Sequence, residues 1–112
     1  MTYATILVGE NVKLNIKKLD FSIYECKTFF SRLIGFMFKI KKIDYGLYFK
    51  NCNSIHTFFM FQRIDVVMVD KFNQIVYLKE NVPPFTLIKT KKEAKDTYEF
   101  PVKTIKKYNL KV

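Results

Sequence analysis

Residues 55–70 hold the chain's one histidine, His56, and one of its two arginines, Arg63, and set a carboxylate, Asp65, into the apolar run Ile64–Val69. A carboxylate in such a strand is costly unless it is paired or hydrogen-bonded. Asp65 is therefore either a structural acceptor or a group held ready for a ligand or a proton. The other arginine, Arg32, stands among Phe29, Phe30, Leu33 and Phe36. A planar guanidinium there suits a fork-like contact, either with Asp65 or a backbone carbonyl or with a bound anion. Histidine is the side-chain type that moves protons near neutral pH. A single His without further His, Cys or Asp at ligand spacing is not a metal signal, so no metal or other cofactor is expected. Met37 and Met60 lie inside the aromatic clusters Phe36-Met37-Phe38 and Phe58-Phe59-Met60-Phe61. Such clusters read first as core, because Met fills gaps beside rings, and second as the apolar wall of a pocket. The candidate ligand-binding residues are thus Arg32, His56 and Asp65, with Met37 and Met60.

The elements that must position them follow from period. Residues 3–8 are β-rich. Residues 12–17 and 21–26 alternate apolar and polar, as half-buried strands do. The period then lengthens. Phe29, Arg32, Leu33 and Phe36 fall at helical spacing behind Thr28 as N-cap, with Gly35 at the far end, which predicts a short helix over 28–36. Gly46–Phe49 reads as a short strand. Ile64–Val69 is the strongest strand, apolar enough for both faces to be covered, with Asp65 on the face of Val67 and Val69 and with Ile64, Val66 and Met68 on the other. A turn at Asp70–Asn73 returns the chain as Gln74–Lys79. Pro83-Pro84 breaks the chain, since proline cannot donate to a ladder. Phe85–Lys89 and Thr97–Phe100 read as further strands, 101–108 as a last helix opened by Pro101 with Val102, Ile105 and Tyr108 facing inward, and 110–112 as a terminal strand. Many short strands with one or two short helices predict a mainly β domain, sandwich- or barrel-like and mostly antiparallel, spanning 1–112 as one unit.

Composition narrows the function. The chain has 112 residues with a net charge of +10, and twelve Phe and seven Tyr supply ample apolar surface for one core. Eighteen of the twenty basic residues are Lys. The near-absence of Arg forks argues against a sequence-reading nucleic-acid protein, while the charge itself favours acidic partners at long range. Residues 31–50 and 91–112 carry +4 each and flank a nearly neutral centre. There is no glycine-rich phosphate loop, no paired-Cys motif and no apolar run near the length of about 20 residues that a spanning helix needs. Cys26 and Cys52 lack metal spacing and are expected as reduced thiols; with no leader-like opening, the chain is expected to be cytoplasmic.

The motifs carry a resemblance. Thr28-Phe-Phe-Ser-Arg32-Leu-Ile-Gly35-Phe-Met37-Phe38-Lys39 is similar to the first signature of domain-of-unknown-function family 192, which reads roughly Thr-x-x-Glu-Arg-x-x-Gly-Leu-Met-Phe-Arg. Residues 55–70 resemble its second, of the form Ile-His-Thr-x-x-Met followed by Ile-Asp-Val-Val, and Val82-Pro83 and Tyr98-Glu99-Phe100-Pro101 resemble later stretches. The resemblance covers about residues 12–112. It implies a compact β-rich domain with little helix and no known enzymatic activity. Arg32, Gly35, Met37, His56, Met60 and Asp65 match signature positions. Ser31 stands where the family has Glu, Phe36 where it has Leu and Lys39 where it has Arg, and the lost Glu removes one carboxylate from any two-carboxylate chemistry.

Together these readings lead to a small non-enzymatic module that binds a small ligand or a protein partner in a polar cleft near Arg32, His56 and Asp65. The runner-up is a basic interaction protein that uses Lys39–Lys42 and Lys89–Lys107 on an acidic partner or polyanion. An enzyme with His56 as acid or base is third.

Overall fold

The computed structural model describes residues 5–8 and 11–112. Nine strands and two short α-helices are formed among them, mostly antiparallel and mainly β, as the sequence predicts. Strands β1 (Thr5–Val8) and β2 (Asn11–Leu14) make a hairpin. β3 (Ile23–Glu25), helix α1 (Phe29–Ile34) and β4 (Gly46–Phe49) follow. Then come β5 (Ile55–His56), β6 (Ile64–Val69), β7 (Ile75–Val82), β8 (Leu87–Ile88), β9 (Asp96–Pro101) and helix α2 (Thr104–Lys107). The main sheet has the order β3-β4-β9-β6-β7, with β3–β4 its one parallel pair, and β5 pairs with β8 apart from it. The main sheet is open, so the expected barrel does not close among the described residues.

β6 is buried at every position, as its unbroken apolar run requires. Ile64, Val66 and Met68 face one core with Phe36, Ile55, Met60 and Ile88, so the 36–45 loop and the β5–β8 ribbon cover that side. Val67 and Val69 face a second core with Leu14 at the end of β2, Phe100, Ile105 of α2 and Leu110.

Asp65 falls on that second face, where alternation puts it, and its oxygens are fully committed. Ile64 pairs with Val82 and Val66 with Lys79, so two residues of β7, Glu80 and Asn81, oppose Asp65 alone in a β-bulge. The bulge aims the Asn81 N–H at Asp65 Oδ1 (2.9 Å), while Oδ2 accepts from the Ile105 N–H in the first turn of α2 (2.9 Å). Lys103, the residue at the N-cap of α2, makes no side-chain capping bond, so a carboxylate from β6 does the capping. Arg63 adds a bond to the Asn81 carbonyl (3.2 Å).

Several expected boundaries move, each for a local reason. The strand over 12–17 stops at Leu14, because Asn15 Oδ1 accepts from the Lys17 N–H and winds 16–18 into a 3₁₀ turn. Pro101 closes β9 instead of opening a helix over 101–108, leaving α2 four residues long; Ile105 is buried as expected, but Val102 is exposed. Residues 110–112 form no strand, because the chain reverses at Asn109 (φ 52°) and the Leu110 N–H bonds back to the Ile105 carbonyl. The part of the first strand expected at 3–4 lies outside the described residues. Asn51, Asn73 and Asn109 take left-handed backbone at turns and Asn81 at the bulge, which Asn tolerates. Three phenylalanines and Lys103 take it too, where a non-glycine residue loses about 1–2 kcal/mol. The aromatic clusters are only partly core. Phe36 and Met60 are buried, but Phe38, Phe58, Phe59 and Phe61 are exposed, because turns on either side of Phe36 and Met60 direct their neighbours outward.

Asp65→Ala strands two N–H groups in the bulge and under α2. We expect a loss of about 2–5 kcal/mol in urea unfolding. Asp65→Asn, which keeps one acceptor oxygen, should lose about half as much. Equal and small losses for both would show that the two bonds contribute nothing.

Candidate functional site

Helix α1 is set by its first turn. Thr28 Oγ1 accepts from the Ser31 N–H and Ser31 Oγ from the Thr28 N–H (3.0 Å each), a reciprocal capping box. Ser31 thus does locally what a Glu or Gln usually does at that position. The helix ends at Gly35, whose φ of 48° with ψ of −121° is open only to glycine. Arg32 leaves the helix toward the end of β4 and donates from its Nη1 to the Lys50 carbonyl (2.7 Å), with a long contact from Nη2 to the Asn51 carbonyl (3.5 Å). Its partner is therefore the backbone carbonyl that the sequence offered as one option, and not Asp65.

A cavity of about 90 Å³ lies between α1 and the sheet, lined by Arg32, Gly35, Met37, His56, Met60 and Glu99 with Phe49, Cys52 and Ile55. Four of the five residues singled out in the sequence, Arg32, Met37, His56 and Met60, meet there. Asp65 is not among the lining residues; it is occupied at the bulge on the other face of the sheet. His56 stacks on Phe58 with 4.9 Å between ring centres, and its Nδ1 accepts from the Phe58 N–H (3.2 Å). In the neutral ring the proton is then on Nε2, a donor. Cys52 Sγ donates to the Ser54 carbonyl (3.2 Å), and both cysteines are free thiols.

Glu99 is the residue the sequence reading passed over. It stands on β9 between Leu47 and Val66, the core positions that flank it in the sheet, and is buried. Its Oε1 has no hydrogen-bond partner among the described residues. A Cβ on residue 35 would come 3.4 Å from that oxygen, so the absence of a side chain at Gly35 leaves the carboxyl open to the cavity. Burial pushes its pKa up to about 8, so at neutral pH the carboxyl is largely protonated and can both donate and accept. Burial, and after it the Glu99 carboxyl, pushes the nearby Cys26 thiol up to about 11, which keeps it protonated and unreactive at neutral pH. The signal for Glu99 was present: alternation in β9 sets Tyr98 and Phe100 on one face and Thr97 and Glu99 on the other, the same argument that singled out Asp65. The cavity therefore offers donors from Arg32 and His56, one unpaired acceptor on Glu99, and thioether and aromatic walls. Among the described residues no cluster of three or more His, Cys, Asp or Glu assembles, and no helix is long and apolar enough to cross a membrane.

The model of domain-of-unknown-function family 192, described as "Uncharacterized ACR", matches residues 12–112. No curated protein matches the chain. Two solved structures share the fold. A candidate transcription regulator of Sinorhizobium meliloti is 16% identical, with a TM-score of 0.69, over 80% of this chain and 74% of its own. A protein of unknown function from Novosphingobium aromaticivorans is 13% identical, with a TM-score of 0.71, over 96% of this chain and 77% of its own.

Glu99 should leave a mark on stability. Its folded pKa of about 8 lies above the ordinary 4.5. Below pH 4.5 both states hold the proton; between the two values only the folded state does, so stability is lost as pH rises through that window and levels off above it. Relative to Glu99→Gln, the wild type should lose about 1.4 kcal/mol per pH unit in urea unfolding across that window. A difference between the two proteins that stays constant from pH 5 to 8 would place the carboxyl in a solvated setting.

Proposed function

The chain belongs to domain-of-unknown-function family 192, and on that premise we propose that it is a binding module whose ligand enters the cavity among Arg32, Met37, His56, Met60 and Glu99. The observation that carries this reading is the buried Glu99 carboxyl with its unpaired Oε1 beside Gly35. A buried acceptor left open is costly, and a ligand that brings a donor recovers that cost. Asp65, in a comparable strand, has each oxygen matched to a backbone N–H, so the lack of a partner is particular to Glu99.

Size restricts the ligand. About 90 Å³ is well below the roughly 300–1,000 Å³ of a pocket that encloses a whole cofactor. It suits a group of a few heavy atoms: the amine, amide or hydroxyl end of a small molecule, or of a side chain on a partner. An N–H or O–H from that group would meet Glu99 Oε1, and the thioethers of Met37 and Met60 would pack on its apolar stem. Arg32 keeps guanidinium N–H groups beyond those given to Lys50 and Asn51, and these with His56 Nε2 would take an acceptor at the mouth.

A thermal-shift titration with methylammonium, acetamide, ethanol and acetate tests this, run on the wild type and on Glu99→Leu. Saturable shifts that depend on Glu99 are expected in the wild type with the donor-bearing probes, and any shift with acetate should not depend on Glu99; a probe at about 100 times its dissociation constant adds about 2.7 kcal/mol. Glu99→Leu should fold at least as stably, since it removes an unpaired polar atom, and should lose the response to the donor-bearing probes. Equal responses from both proteins would rule the cavity out as the site.

A further inference from the structure

Three of the left-handed non-glycine residues are Phe38 (φ 63°), Phe59 (φ 62°) and Phe85 (φ 58°). Bulky side chains rarely adopt this conformation, and Gly or Asn would hold the same turns without strain. The three belong to three separate loops, yet their rings meet: Phe38 and Phe59 are 5.9 Å apart between ring centres, and Phe59 and Phe85 are 5.7 Å apart. All three are exposed, at 58%, 50% and 62%. Phe61 and Phe58 extend the patch against Phe38 and Phe85, and Ile40, at 83%, stands beside it in sequence.

The loops are built to hold these rings. The Phe38 N–H bonds to the Phe59 carbonyl (2.9 Å) and the Phe85 N–H to the Thr57 carbonyl (3.0 Å). Thr57, fully buried, donates from Oγ1 to the Pro83 carbonyl (2.7 Å) and accepts from the Thr86 N–H (2.8 Å). The Gln62 amide donates to the carbonyls of Lys39 (2.9 Å) and Lys41 (2.6 Å). Strained backbone, outward rings and a hydrogen-bonded frame together describe a surface made for contact rather than a frayed core.

Charge identifies what it contacts. Residues 36–43, 57–62 and 83–89 carry Lys39, Lys41, Lys42 and Lys89 and not one Asp or Glu. We propose that this face docks peripherally on an anionic lipid bilayer, with the phenylalanine rings in the boundary between headgroups and acyl chains and the lysines on lipid phosphates. Rings on several loop tips suit a deformable apolar boundary. Lysine stems lie along such a boundary with their ammonium groups in the headgroup layer, whereas the Arg forks that mark recognition of a folded anionic partner are missing from these segments.

Sedimentation of the full chain with vesicles tests this. The vesicles are phosphatidylcholine alone, or with about one-third phosphatidylglycerol, at low and moderate salt. The chain should pellet with the anionic vesicles, less so as salt rises, and stay in solution with the neutral ones. The variant F38N/F59N/F85N should lose vesicle affinity by about tenfold or more while its Tm holds or rises, since Asn accepts the left-handed backbone. Lys41→Gln and Lys89→Gln, at exposed positions, should each weaken binding about fivefold. A wild type that stays in solution with both vesicles overturns the proposal and leaves the patch to a protein partner or a second copy. So does a triple Asn variant that binds as well as the wild type, or one whose Tm drops sharply, which would make the rings structural.

Discussion

Burial of the β6–β9 pair on both faces is the constraint from which the rest of the structure follows. β6 exposes no residue to solvent, and its neighbour β9 is buried at all but its two ends. Any polar side chain in these strands must find a partner inside the protein or stay without one. Two carboxylates enter here, Asp65 on β6 and Glu99 on β9, on opposite faces of the sheet. On the Asp65 face the main chain is reshaped to suit the side chain. β7 gains a bulge, Asn81 turns its N–H inward, and α2 begins where the second oxygen can cap it. The first turn of that last helix is thus anchored by the same contact that satisfies one buried acid.

No such remodelling serves Glu99. The backbone groups of its neighbours on β4 and β6 are used in the ladders on either side of β9, and above it stand Gly35 and an apolar wall. Protonation is the response left to a carboxyl that burial deprives of both solvent and partners, and its pKa moves accordingly. The two acids show that burial in a central strand does not by itself decide whether a carboxyl finds partners. What decides is whether unpaired N–H groups can be brought to the carboxylate by a bulge or a helix terminus.

Period and capping made much of this legible. The two-residue alternation fixed the faces of β6 correctly, Asp65 included, and Thr28 and Gly35 bounded α1 to within two residues. What stayed hidden depended on contacts distant in sequence or on single turns. Arg32 finds carbonyls eighteen and nineteen residues away, which no spacing rule encodes. Asn15 ends a strand that alternation alone would continue. Glu99 could have been found by the reasoning applied to Asp65, but its strand is rich in polar residues, so its two-sided burial was less evident than that of Ile64–Val69. The aromatic clusters misled because hydropathy reports how apolar a ring is and not where its backbone points it. Phe36 and Phe38 are two residues apart, and a left-handed turn separates the most buried ring of the loop from an exposed one.

The departures from local consistency are not spread evenly. The face that holds Asp65 contains satisfied acceptors, and its left-handed positions at Asn73, Asn81 and Asn109, though not at Lys103, use a residue suited to them. The opposite side, under α1 and the β5–β8 ribbon, holds the unpaired Glu99 oxygen, the left-handed phenylalanines and the exposed rings. The features are contiguous there: Phe58 stacks on His56, which lines the cavity, and Phe38 follows Met37, which lines it too. A sequence shaped by stability alone would place Asn or Gly at those turns and an apolar residue at position 99, each a gain on the order of 1 kcal/mol or more. Most of these losses lie together at one end, with left-handed Lys103 the exception at the other, which is the distribution expected when one side of a fold is shaped by more than the need to stay folded.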